Sequence, residues 1–221
     1  MYDNGKCLFY YTIVSRRRDF MALRDIDIRE ALRNELSVQF ANTPSIIVDE
    51  LRICWGDTRV DIAVVNCSLH GYEIKSDRDT LDRLPKQVSL YNKIFDTATL
   101  VCSERWLKKA PDKIPFWWGI MVSIPDPNAQ CGVRLDEVRP KQVNHDVDLR
   151  SLIELTWKEE ALSILAKRGL DRGVRSKARW DIWDRIVEMI DPDELKQDVR
   201  ECLKSRQGWR SADSLRRLCA D

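Results

Sequence analysis

The chain contains only two histidines, His70 and His145, and its seven cysteines, at 7, 54, 67, 102, 131, 202 and 219, include no closely spaced pair. Zinc hydrolases, His-based nucleases and dithiol redox motifs are left with almost nothing to build on. Scattered cysteines, odd in number, fit reduced and partly buried thiols in a cytoplasmic protein. Net charge is nearly absent as well, since 37 Lys and Arg oppose 36 Asp and Glu. Without whole-molecule attraction to nucleic acid, any DNA binding must use a local patch. Long apolar runs are also missing. Residues 7–14 form an apolar run of only eight, too short to span a bilayer. The basic cluster Arg16, Arg17, Arg18 follows that run, whereas a signal peptide carries its charge ahead of it. Residues 1–19 therefore read as an N-terminal extension, a loose segment or an edge strand, Met21 is a candidate start, and no membrane is expected among the partners.

What is present is enough apolar material for a core, 43% of the chain, beneath a surface implied by 33% charged residues. At 221 residues this suits one substantial domain with an appendage, or two small domains. Asp25 or Asp27 can cap a helix carrying Ile28, Ala31, Leu32 and Leu36 at helical spacing. Residues 45–53 and 59–66 read as strands, the second rich in β-branched residues, and 72–75 as a third. His70 falls in the turn before it. Leu81, Leu84, Val88, Tyr91 and Phe95 then recur every three or four residues, with Pro85 acceptable only in a first turn. Strands follow at 97–102 and 117–124. The order is α-β-β-β-α-β with one further strand, which predicts an α/β domain over 20–147 whose mixed central sheet is covered on both sides. From 148 to 221 the pattern is helical only: one helix from Leu152 to Leu165, one from Ile182 to Ile190, and one opened by the capping Asp191. Between the first two lies a window, 167–179, with six basic residues and one acid, either a solvated linker or a set of phosphate contacts.

The chemistry concentrates on two strands. Glu73 and Lys75 are two apart, so in an extended chain they share a face. If the second and third strands form a hairpin, Asp61 approaches Glu73 on that face. Two carboxylates about 4 Å apart repel by roughly 4 kcal/mol at an effective dielectric near 20. A divalent cation between them reverses the sign, and hard oxygen ligands with retained water suit Mg²⁺ or Mn²⁺. Lys75 would then stabilise charge on a phosphate or orient the attacking water. Such a set is a minimal device for cleaving phosphodiesters.

The pattern Asp61, then Glu73-Ile74-Lys75, resembles the PD-(D/E)XK nuclease superfamily. Gln87-Val-Ser-Leu-Tyr91 is similar to the QxxxY motif of its RecB-like members. Residues 24–119 resemble a small bacterial and phage family within it, through RVDIAVVN, GYEIKSDRDTL and the tryptophan pair before Gly119. The resemblance implies a restriction-endonuclease-like core and a Mg²⁺- or Mn²⁺-dependent nuclease acting on DNA, single-stranded or branched DNA included, in repair, mobile-element or phage-related processing. It also implies that Gln87 and Tyr91 help to position the strand. Ser76 and Arg78 lie close enough in the chain to touch substrate. The third metal-binding acid is Glu50, at the end of the first strand, or Glu30 on the first helix, with Glu50 favoured. Tyr91 continues the leucine stripe and is equally readable as core. Trp117 and Trp118 can stack on bases or fill the core. The rival reading is a catalytically silent module of the same fold that binds DNA or a protein, the latter through the tryptophan-containing helical region.

Overall fold

The computed structural model describes residues 22–206 of the chain. The extension at 1–19, the candidate start at Met21 and Trp209 lie outside them. A six-stranded mixed sheet organises the described residues, with strands in the spatial order of the chain: β1 Ile46–Ile53, β2 Thr58–Val65, β3 Leu69–Lys75, β4 Thr97–Ser103, β5 Gly119–Pro125 and β6 Val133–Arg139. The first three form an antiparallel meander, β3–β4 and β4–β5 are parallel, and β6 returns antiparallel. Helix α1 (Asp25–Gln39) precedes β1, and α2 (Leu84–Ile94) makes the crossover from β3 to β4. The order α-β-β-β-α-β is therefore present. Beyond β5 the structure adds β6, whose VRLDEVR run is only half-buried at an edge and gives a weak alternating signal.

Each sheet face has its own core. On one face Ile28, Leu32 and Leu36 of α1 meet Ile62, Val64, Tyr72, Ile74 and Val101. On the other, Leu84, Val88, Tyr91 and Ile94 of α2 pack with Ala63, Val65, Leu69, Leu100 and Trp118. Helices α3 (Leu149–Ile153), α4 (Lys158–Ala166), α5 (Arg179–Met189) and α6 (Pro192–Ser205) contribute Leu152, Leu165, Trp183, Ile186, Leu195 and Val199 to this second core. Residue 148 thus marks a change of secondary structure within one continuous apolar cluster. The helix expected from Leu152 to Leu165 is two, broken at Thr156 and Trp157, where Glu160 accepts a hydrogen bond from the Trp157 N–H and starts α4 afresh.

Several local expectations need revision. Arg24, not Asp25 or Asp27, is the cap residue of α1, and Asp27 closes the first turn by accepting from the Arg24 backbone at 3.0 Å. His70 belongs to β3, not to a solvated turn. Its ring stacks on Phe40 and meets the Thr97 hydroxyl at 2.6 Å, and burial pushes its pKa down to about 4. Pro85 does occupy the first turn of α2. Trp117 and Trp118 are core residues, the latter donating to Asn92. At Gly71 an added Cβ would stand 2.8 Å from the Phe95 ring, so the β3–α2 contact requires glycine there.

Candidate active site

The site forms where β3 leaves the sheet. Glu73 and Lys75 project toward α2, as strand alternation dictates, and both are buried, at 1% and 5% exposure. Gln87 and Tyr91 are four residues apart on α2 and so share a helical face. All three partners converge on one carboxylate. Lys75 Nζ and Gln87 Nε2 donate to Glu73 Oε1, each at 2.5 Å, and the Tyr91 hydroxyl donates to Oε2 at 2.6 Å. Burial, and then the Glu73 and Asp61 charges, raise the Tyr91 pKa well above its ordinary value. It therefore stays a neutral donor.

Asp61 stands opposite Glu73, one step beyond the last paired residues of β2 and β3, Ile62 and Tyr72. Its Oδ2 accepts from the Ile74 N–H at 2.7 Å, which ties off β3 where the ladder ends. Its charge is also felt. Burial first, and Asp61 second, raise the Glu73 pKa to about 7, against the opposing pull of Lys75 and Tyr91. A buried carboxylate facing a second carboxylate favours its proton or a nearby cation.

A kink in the β1–β2 hairpin sets this geometry. Glu50, which falls between the Asp49–Ile62 and Leu51–Val60 pairs of the ladder, adopts a left-handed backbone with φ 57°. The alternation of faces flips there. Asp49 pairs with Arg33 of α1 while Leu51 enters the opposite core, and across the hairpin Ile62 and Val60 divide the same way. The flip brings Asp61 within reach of α1. Arg29 binds the Asp61 backbone oxygen at 2.6 Å and Oδ1 at 2.8 Å, and also contacts Asp25 at 3.1 Å and Glu50 at 3.5 Å. Burial opposes the Arg29 charge, but Asp61 and Asp25 outweigh it and raise its pKa. Burial, opposed by Arg29, likewise raises that of Asp25.

The structure therefore brings together Asp61, Glu73, Lys75, Gln87 and Tyr91. Tyr91 is fully buried within the second core, in line with its place in the leucine stripe, and its hydroxyl meets the site through Glu73. Glu50 lies beside Asp61 but is engaged by Arg59 at 2.8 Å and by Arg29. Glu30 is exposed on α1, and the α1 acid that shares Arg29 with Asp61 is Asp25. Ser76 is buried, its hydroxyl bonded to Asp79, whereas Arg78 is exposed. Asp77 and Asp79 do not cap α2. Asp77 fixes the approach to α1 by accepting from the Leu23 N–H at 2.9 Å, and Asp79 holds the Ser76 turn. Arg29 and Asp25 escaped the sequence reading, although their spacing of four at a helix start was a usable signal.

The donor set can be tested against the divalent ion that the nuclease resemblance implies. Asp61 and Glu73 offer hard oxygens, and Gln87 Oε1 is buried without a hydrogen-bond partner, an acceptor still owed a donor or a cation. These residues fit Mg²⁺ or Mn²⁺, which keep several waters and need few protein ligands. Two basic groups compete for the same oxygens, Lys75 at Glu73 and Arg29 at Asp61. Among the described residues no three acidic, histidine or cysteine side chains converge as a ready-made cage.

Fold and site together define a mixed α/β protein with a buried acid–lysine pair at a strand end, faced by a second acid. The chain belongs to the family of bacteriophage P4 protein cII, whose profile matches residues 20–220. It is 24% identical over 196 residues to protein cII of Enterobacteria phage P4, covering 89% of this chain and 72% of that one. A solved protein of unknown function from Silicibacter pomeroyi is 17% identical and covers 68% of this chain and 99% of its own, with a TM-score of 0.41. No helix among the described residues is long and apolar enough to cross a membrane.

Proposed function

We propose that this protein is a metal-dependent nuclease of the restriction-endonuclease-like class, hydrolysing DNA phosphodiesters in phage or mobile-element processing in the cytoplasm. The observation that carries the reading is the convergence of Lys75, Gln87 and Tyr91 on Glu73, opposite Asp61. Structural ion pairs on strands are common, but they are exposed and worth little. A nearly inaccessible pair served by two further donors and facing another acid is costly to build and points to a working site.

Asp61 and Glu73 would hold Mg²⁺ or Mn²⁺, which on binding would lower the pKa of a bound water and offset charge on the phosphate. The chain does the rest. Lys75 presents an ammonium beside Glu73, fixed in place before any charge develops, which is where preorganised electrostatics act most strongly. Gln87 holds Glu73 through its amide nitrogen and keeps its carbonyl oxygen for a water proton. Tyr91, neutral and immobile, fixes the Glu73 carboxylate. Arg78, exposed three residues after Lys75, would meet a strand phosphate.

One observation favours a second reading. Arg29 supplies a permanent cation among Asp25, Glu50 and Asp61, so a silent, metal-free DNA- or protein-binding module would need no ion. Plasmid and single-stranded DNA, incubated with Mg²⁺, Mn²⁺ or chelator, separate the two. The nuclease reading expects metal-dependent cutting that falls at least 100-fold in Asp61→Ala and Lys75→Ala. Equal cutting by all three proteins, or none by the wild type, would refute it.

A further inference from the structure

A cleft lined in part by Glu50 has no part in the chemistry above, yet it is built with care. It encloses about 500 Å³, and its walls include Arg52, Trp55, Arg59, Trp157 and Arg179. Trp55 and Trp157 are 60% and 56% exposed, unusual for the side chain with most to gain from burial. Neither is loose. The Arg179 guanidinium lies 4.7 Å from the Trp55 ring and 4.8 Å from that of Trp183, and Trp55 meets Trp183 edge-on at 5.4 Å. Arg206 lies 4.4 Å over Trp157. The turn that presents Trp55 is strained, because Cys54 and Trp55 both adopt left-handed backbone, at φ 48° and 61°, a conformation that bulky residues avoid.

The charges complete the pattern. Every acid on these walls already has a basic partner: Asp49 has Arg33, Glu50 has Arg59 and Arg29, and Glu154 has Arg150. Arg52 and Arg179 have no carboxylate partner among the described residues. Moreover, Arg52 stands directly opposite Arg59 across β1 and β2, a like-charge pairing that destabilises a sheet, and of the two only Arg59 is offset by a carboxylate, that of Glu50. The basic window leads into this wall. Lys167, Arg168 and Arg175 of that window are ion-paired within the fold, whereas Arg172, Lys177 and Arg179 have no such pairing among the described residues.

We infer that this cleft binds single-stranded nucleic acid, with unstacked bases on Trp55 and Trp157 and phosphates on Arg52, Arg59 and Arg179. Exposed indoles interleaved with guanidinium groups are what a single strand requires, since every base has a π-face and every step a phosphate. A duplex keeps its bases stacked and would leave the indoles unused. The inference deepens the nuclease reading and rests on it for what the strand is for, since Glu50 lines this cleft and shares Arg29 with Asp61.

Binding is measured apart from cleavage, in chelator, by fluorescence anisotropy of the full chain with labelled 20-nucleotide oligo-dT, oligo-U and a duplex of equal length. Single strands should bind more tightly than the duplex. Trp55→Ala and Trp157→Ala should each weaken single-strand binding by roughly tenfold, within the range of about 5- to 150-fold that loss of one base stack implies. Arg52→Glu should weaken binding and flatten its salt dependence. The oligo-dT and oligo-U arms assign the strand to DNA or RNA. Duplex bound as tightly as single strand, or unchanged affinity in both tryptophan variants, would overturn the inference. Cleavage without Trp55-dependent binding sinks the groove alone, and Trp55-dependent binding without any cleavage sinks the nuclease reading alone.

Discussion

The two carboxylates at the centre of the site are held in opposite ways. Glu73 is sealed in the core beneath α2 and served by one ammonium and two neutral donors. Asp61 sits nearer the surface beneath α1 and is served by Arg29, which it shares with Asp25 and Glu50. The first arrangement is a fixed fitting, because neutral donors buried with their acceptor have nowhere else to go. The second holds its carboxylate through a charged partner that is itself shared among three acids. If the proposed ion binds, the contrast makes the more exposed Asp61 side its expected route of entry.

The largest effect expected from breaking this contrast is at Lys75. At pH 9, above the Glu73 pKa of about 7, Lys75→Met leaves a buried charge without its cation and should cost about 3–5 kcal/mol in urea unfolding. A loss below 1 kcal/mol would mean that the pair is more accessible than its burial implies.

Next comes pH. Folding raises the Glu73 pKa from the ordinary 4.5 to about 7, so the folded state binds the proton more tightly than the unfolded chain. The stability this supplies is complete below about pH 4.5 and is lost as pH rises through about 7. Glu73→Gln should flatten that slope in chelator, and saturating Mn²⁺ should flatten it in the wild type.

Tyr91→Phe removes one neutral donor from Glu73 and should cost about 1–2 kcal/mol, with Mn²⁺ recovering little because the ion would enter from the other side. The smallest effect should come from a surface pair remote from both halves. Arg134→Ala breaks its contact with Asp136 and should change stability by less than about 1 kcal/mol.

The fixed half of the site was legible in the sequence and the shared half was not. Glu73 with Lys75, and Gln87 with Tyr91, are local spacings of two and four, and strand and helix periodicity alone put each pair on one face. Asp61 was legible because a hairpin register follows from a short turn. Arg29 was not, because its role depends on how α1 crosses β2 and on the left-handed residue at Glu50 that flips the alternation of both strands. No period-two argument anticipates such a flip in a non-glycine residue. The same limit explains Asp25, which shares Arg29 with Asp61. It also explains β6, whose half-buried edge position weakens its pattern, and the break at Thr156, where an apolar stripe runs on although the helix does not. That the C-terminal helices share one core with the sheet depends on long-range packing that their own periodicity does not encode.

The central claim is that Asp61 and Glu73 form a pair in need of a cation, which Arg29 only partly supplies. Calorimetric titration with Mn²⁺ tests it most directly. The account predicts one ion bound per chain, weakened at least tenfold in Asp61→Asn and in Glu73→Gln, and tightened in Arg29→Met. Absence of binding by both the wild type and Arg29→Met, or equal affinity in all four proteins, would contradict it.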